Sequence, residues 1–294
     1  MNIMRKVNLI VVMPVGPGNN IGRAIDTIKS IEHYTTDNRS IILLDDSKTD
    51  AGYYISDIFP GLKVIKNHIS GSGPKGRLYV GIADVFNYVL EHYKFDILLR
   101  IDTDSLIIGP YPEKDAISYF EKNPTIGLLG AYRKNCMGDI RCFAPARKIL
   151  KKETGHITTL IKPNLAATLD KIVKRAIKNG YELGEHCLGA ACFINYSCLK
   201  DIQKEGYFSL DKLAKSGLAD DHILSLVVRA TGHNIGDFST GNYPLCIRWQ
   251  GLPYSPDKLV AMNKKIIHST KNDKKFSEIE IREYFRNIRN DKKV

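Results

Sequence analysis

The chain has 294 residues, 43% hydrophobic and 26% charged, and a formal net charge of +11. That length buries a sizeable core without disulfides or a structural metal, and the composition excludes disordered, collagenous and low-complexity classes. The basicity is local: residues 133–178 hold 12 Lys/Arg against 3 Asp/Glu, residues 258–294 hold 11 against 5, and the remainder is slightly acidic. Such segments are either solvated helix faces or patches that face an anionic ligand or membrane.

The first apolar run, residues 7–15, is interrupted by Asn8 and Pro14 and followed by Gly16-Pro17-Gly18-Asn19-Asn20. It is too short to span a bilayer and lacks the long apolar region and small-residue cleavage site of a signal peptide. It predicts a buried first strand over 9–13 that ends in a turn, and a cytoplasmic protein. Further strands are predicted at 41–44, 62–65, 97–101 and 126–129, with helices starting near Asn20, Asp50 and Gly76. On the third helix Val80, Ala83, Val85, Tyr88 and Val89 share a face. This alternation is that of an α/β fold with a parallel sheet covered on both sides.

From Arg133 the rhythm breaks. A helix is predicted over 163–178, with Pro163 at its start and Asn179-Gly180 at its end. Leu165, Leu169, Ile172, Val173, Ala176 and Ile177 form its apolar stripe, and Lys171, Lys174, Arg175 and Lys178 the rest. A strand over 191–194, another helix, and an amphipathic tail helix over 276–288 follow. Cys136, Cys142, Cys187, Cys192, Cys198 and Cys246 form no CxxC pair and have no His at zinc-site spacing, so they read as reduced thiols.

Three acidic clusters carry the chemical signal. In the first, Asp45-Asp46-Ser47-Lys48-Thr49-Asp50 follows the second strand. An Asp there accepts a hydrogen bond from a base or ribose, or Ser47 or Asp50 caps the next helix. In the second, Asp102-Thr103-Asp104 follows a buried strand, so two carboxylates stand at the carboxyl edge of a parallel sheet, where open α/β folds bind ligands. They suit a divalent cation bridged to phosphate oxygens; the alternative is a pair of solvated turn aspartates. The third, Asp220-Asp221-His222, opens a helix that Gly232 closes. One of the two acids is expected to cap it, leaving the other to face a cleft.

In this order, after the Pro14-Val15-Gly16 strand end and with Gly73-Pro74-Lys75-Gly76-Arg77 between the first two clusters, these segments resemble the GT-A-type nucleotide-sugar glycosyltransferases. The resemblance is to the large inverting family 2 of bacterial polysaccharide enzymes and covers roughly residues 8–232, with Leu224, Arg229 and Gly232 following the acidic pair. Ser47-Lys48 replaces the family's Gly-Ser, Asp220 replaces its Glu, and 133–186 has no counterpart. The resemblance implies a Rossmann-like, mainly parallel sheet flanked by helices. It also implies one domain over 1–294, with a nucleotide-binding half (1–130), an acceptor half (131–270) carrying a helical insertion (133–186), and a basic tail (271–294).

The implied activity moves a sugar, from a UDP-sugar in preference, to an acceptor hydroxyl with inversion, in bacterial surface glycan synthesis. Pro14, Val15, Gly16, Asp45, Asp46, Lys75, Arg77, Asp102 and Asp104 would bind the donor, with Asp45 or Asp46 on the uracil or ribose and Lys75 and Arg77 on the nucleotide or its phosphates. Asp102, Asp104 and a late His, for which His268 is the candidate, would hold Mn²⁺ or Mg²⁺. Asp221 would take the acceptor proton, Asp220 beside it being the other candidate. His268 read alone is an ordinary surface residue. Trp249, the single tryptophan, either stacks on an acceptor sugar or is buried in the core.

The acceptor implied is a saccharide or lipid-linked saccharide. The 163–178 helix together with Arg282, Arg286 and Arg289 of the tail predicts peripheral attachment to an anionic surface at the inner face of the membrane; otherwise both segments only solubilise the chain. A sugar-nucleotide nucleotidyltransferase would want a cation in the loop after the first strand, and Gly16-Pro17-Gly18-Asn19-Asn20 has none. A nucleic-acid-binding protein would carry a recognition signature beside its basic segments, and none is present. No GxGxxG follows the first strand, which argues against NAD-dependent oxidoreduction.

Overall fold

The computed structural model describes residues 4–16, 21–69 and 73–291. Seven strands form the central sheet, in the order Asn234–Asp237, Ile126–Gly130, Ala191–Asn195, Ile97–Ile101, Leu9–Val15, Arg39–Asp45 and Lys63–Lys66. All neighbours run parallel except Ala191–Asn195, which is antiparallel to both strands beside it. The mainly parallel α/β expectation is met. The strand over Asn234–Asp237 was not expected, and its reading Asn-Ile-Gly-Asp explains why: it has a single large apolar residue.

The Leu9–Val15 strand is buried along its whole length. Leu9, Val11, Met13 and Val15 enter one core and Ile10 and Val12 the other, as the period of two requires of a strand covered on both faces. One core is closed by helices Ile21–Tyr34, Ala51–Ile58 and Pro112–Lys122, the other by Gly76–His92, Pro163–Lys178 and Asp220–Ala230. The first helix was expected to start near Asn20, which lies outside the described residues; Pro17, Gly18 and Asn19 of the expected turn do too. Helix Pro163–Lys178 sends Leu165, Leu169, Ile172, Val173 and Ala176 inward. At roughly 1.5–3 kcal/mol per large buried side chain, that stripe ties this basic helix to the core. Ile177, assigned to the same stripe, is exposed.

A second sheet joins Leu245–Ile247, Ile266–His268 and Leu106–Ile107. Helix Glu278–Asp291 packs Ile281 and Phe285 against it. This corrects the expected exposure of the tail cations. Arg282 and Arg289 are buried and both bind the buried carboxylate of Asp26, Arg282 at 3.0 Å. Only Arg286 of the three has a largely solvated side chain. A buried Asp needs such partners because an unpaired buried charge costs several kcal/mol, so Asp26 of the first helix decides where the tail lies. All six cysteines are free, five of them buried, and no described helix is long and apolar enough to cross a membrane.

Candidate active site

Because the strands run parallel, their carboxyl ends meet along one edge. The Asp46 N–H donates to the Val15 carbonyl at 2.9 Å there, and the Asp102 N–H to the Ala190 carbonyl at 2.8 Å. Pro14 and Val15 are buried in the sheet, so only their backbone faces the edge, and Gly16 has open space where a side chain would stand.

Asp45 and Asp46 diverge. Asp45 is fully buried; its Oδ1 accepts the Ser47 N–H at 2.9 Å and its Oδ2 the Lys66 ammonium at 3.2 Å. Asp46 is half-buried, accepts the Asn67 side-chain amide at 2.7 Å, and is pushed upward in pKa by burial, with Arg77 in electrostatic reach. The less buried member of the pair is therefore Asp46. Ser47 supplies the helix cap through Oγ, 3.0 Å from the Ala51 N–H, while Asp50 pairs with Lys66 at 2.6 Å and makes no cap bond. Lys75, exposed at the start of the Gly76–His92 helix, lies near enough to His222 to help lower its pKa, after burial.

A cavity of about 160 Å³ gathers Asp102, Asp220, Asp221, His268 and Trp249 with Arg100, Gly189 and Arg248. Arg100 organises it. Its guanidinium is 2.9 Å from Asp102 Oδ1 and 2.8 Å from Asp220 Oδ2, and it also donates to the Gly189 carbonyl. Gly189 is fixed by this crowding, since a Cβ there would stand 2.9 Å from Asp221 Cβ and 3.3 Å from Arg100 Nη1. Sequence reasoning passed over Arg100, yet a cation inside the apolar strand Ile-Leu-Leu-Arg-Ile is itself a signal that acids wait at the strand end.

Neither acid of the third cluster is the N-cap, which is Ala219 and makes no side-chain bond. Burial pushes the Asp220 carboxyl up to about 6 against the pull of Arg100. Asp221 accepts the Gly189 N–H at 3.2 Å through Oδ2 and the His222 N–H at 2.9 Å through Oδ1. Among the described residues no guanidinium bonds it, so unlike Asp220 it is not tied into the charge pair with Arg100.

Asp104 lies behind the cavity wall. Its Oδ2 is 3.2 Å from His268 Nε2, 2.8 Å from Lys271 Nζ and 3.0 Å from Ser269 Oγ. Burial opposes its charge, but bonding to His268 and Lys271 outweighs burial and holds the carboxyl well below the usual range. Asp102 moves the other way, raised by burial that Arg100 only partly offsets. His268 is a buried residue of the second sheet, so the surface reading of it fails. Its Nδ1 is 2.5 Å from the Arg248 carbonyl and donates to it, which fixes the ring with Nε2 directed at Asp104. A ring nitrogen tied to a carbonyl in this way orients a metal-ligating histidine.

Ligand atoms of Asp102, Asp104 and His268 all lie within 4.8 Å of one another. Two carboxylates and one imidazole fit Mn²⁺ and, less closely, the oxygen-preferring Mg²⁺. His186, Asp221 and His222 are equally close together, but both His186 nitrogens are engaged, Nδ1 with the Gly184 carbonyl at 2.9 Å and Nε2 with Arg141 at 2.8 Å.

The tail helix braces this corner. Arg282 Nη2 and Thr27 Oγ1 both donate to the Thr103 carbonyl, at 3.0 and 2.8 Å, and Thr270 Oγ1 donates to the Asp104 carbonyl at 3.1 Å. The turn between the two aspartates is thus held by residues more than 70 and 160 positions away in sequence. Trp249 is 77% exposed at the cavity mouth, so the core alternative does not hold.

By structure the chain is similar to the mannosyltransferase PcManGT from Pyrobaculum calidifontis in complex with GDP-Man and Mn²⁺, at TM-score 0.43 and 14% identity over 79% of this chain and 55% of that one. It is also similar to apo WbbM, a bifunctional glycosyltransferase (TM-score 0.45, 12% identity, 92% and 47% covered), and to TarS of S. aureus (0.43, 14%, 79% and 35%). The chain spans about half, or less, of the length of these proteins. No protein-family model matches it, and no curated protein does.

Proposed function

We propose that the protein is a metal-dependent, inverting GT-A-type glycosyltransferase that uses a nucleotide-sugar donor, with UDP-sugars favoured, in bacterial surface glycan synthesis. The observation that carries this reading is the single cavity in which Asp102, His268 and the Asp220-Asp221 pair converge from distant parts of the chain. Asp46, Lys75 and Arg77 bind the nucleoside along the sheet edge, and Asp102, Asp104 and His268 hold the cation. When bound, Mn²⁺ or Mg²⁺ neutralises charge on the leaving diphosphate as a Lewis acid. Arg100 fixes Asp102 and Asp220 in one frame. Asp221 accepts the proton of the acceptor hydroxyl as its oxygen attacks the anomeric carbon from the face opposite the leaving group, which inverts the configuration.

Release of nucleoside diphosphate from UDP-, GDP- and dTDP-sugars, each with Mn²⁺ and with EDTA, tests the assignment. Turnover of at least one donor is expected with Mn²⁺ and none with EDTA; silence from every donor overturns it.

The acceptor is a saccharide, lipid-linked in preference, met at an anionic membrane surface. Support for that surface comes from the insertion rather than the tail. Helix His156–Ile161 buries none of its residues, and Ile157, Leu160 and Ile161 are 73%, 83% and 71% exposed. The flanking helices Ala144–Glu153 and Pro163–Lys178 are rich in lysine, although Lys174 and Arg175 are partly neutralised by Asp170 and Glu205. Aliphatic side chains ringed by cations suit an anionic interface, where each cation contributes about 1 kcal/mol. Co-sedimentation with anionic vesicles is expected at low salt, reduced by high salt and by Leu160→Ser with Ile161→Ser; equal retention on neutral vesicles, or an unaffected double variant, removes this placement.

A further inference from the structure

A second cavity, of about 550 Å³, adjoins the first and shares Arg248 with it. Its size is that of a site for a mono- or disaccharide. Arg248 belongs to both walls because its backbone pairs with His268, its N–H donating to the His268 carbonyl at 2.7 Å. The second cavity therefore lies beside the candidate metal corner. Trp249, exposed, follows Arg248 directly.

The lining is cationic. Arg248, Lys258, Lys274 and Lys275 face one acid, Asp273. That carboxylate is occupied in building the wall: it accepts the backbone N–H groups of Leu252 at 2.7 Å, Lys275 at 2.8 Å and Phe276 at 3.1 Å. Among the described residues none of the four cations has a salt bridge, and Lys258 rests over the Tyr254 ring at 4.4 Å. Phe276 adds a second aromatic surface to the lining. Some exposed cations elsewhere are paired, as Arg175 is with Glu205 and Arg133 with Glu182. Four cations without a salt bridge thus converge on this cavity, beside rings against which sugars stack.

We propose that this cavity is a subsite for an anionic group of the acceptor, a carboxylate or a phosphate carried on the saccharide, so that the enzyme extends acidic rather than neutral glycans. The word acceptor rests on the glycosyltransferase reading; the anion subsite itself does not.

Calorimetric or NMR titration of the full chain with three disaccharides, one bearing glucuronate, one bearing a glycerol phosphate group and one neutral, tests it without any turnover. At least one anionic probe is expected to bind about tenfold or more tightly than the neutral one, and the arm that wins identifies carboxylate or phosphate. Lys258→Ala with Lys274→Ala and Lys275→Ala, all surface positions, should abolish that preference and leave UDP affinity in Mn²⁺ unchanged. Equal binding of all three probes, or an unchanged preference in the triple variant, overturns the proposal. So does a loss of UDP affinity in that variant, which would give the cavity to the donor diphosphate. Anion preference in a protein that turns over no nucleotide sugar would leave the subsite standing and remove the enzymatic assignment.

Discussion

Asp221→Asn is expected to lower sugar transfer by at least ~100-fold, the lower end of what a general base contributes, while donor affinity measured by calorimetry stays near that of the native protein. The amide is nearly isosteric, and its oxygen still accepts the Gly189 or His222 N–H that now holds the carboxylate. What it loses is the capacity to take a proton. Asp220→Asn should behave differently. It breaks the charge pair with Arg100 at 2.8 Å, and because Arg100 also holds Asp102, donor and metal affinity should fall together with rate. If the two phenotypes are exchanged, the base is Asp220. A product that keeps the donor's anomeric configuration by NMR would exclude direct displacement from Asp221 altogether.

The second large effect is expected at the metal corner. Asp104→Asn should abolish turnover, as should EDTA, and it carries a readout independent of activity. Mn²⁺ added to the native protein should raise its melting temperature, since a ligand at 100 times its Kd stabilises the folded state by about 2.7 kcal/mol. The variant should show no such shift. The fold should survive, because Ser269 Oγ and the Thr270 bonds to the Asp104 backbone remain and Lys271, left without its partner, is nearly half-exposed and solvates readily. An undiminished Mn²⁺-dependent shift in the variant would remove Asp104 from the ligand set.

The sheet and the order of the acidic clusters were legible in the sequence by itself, because both are local properties. A strand buried on both faces must be apolar at consecutive positions, and Leu9–Val15 and positions 97–99 are; an acid immediately beyond such a strand, such as Asp102, must stand at the sheet's edge. Helix Pro163–Lys178 announced itself by its stripe and its terminal Pro and Gly for the same reason. Ionic partnership was decided only by the tertiary structure, since what a charge meets belongs to another element. Arg282 and Arg289 read as solvent-facing because their own helix is polar around them, and Asp26, over 250 positions away, draws both inside. Asp45 and Asp46 are adjacent and chemically identical, yet Lys66 bonds one, fully buried, and Asn67 the other, only half-buried. Trp249 and His268 exchanged their commonest fates, the ring outside and the imidazole buried. A single tryptophan or histidine sets no pattern of its own, and which side of it is covered depends on where the second sheet lies against the first.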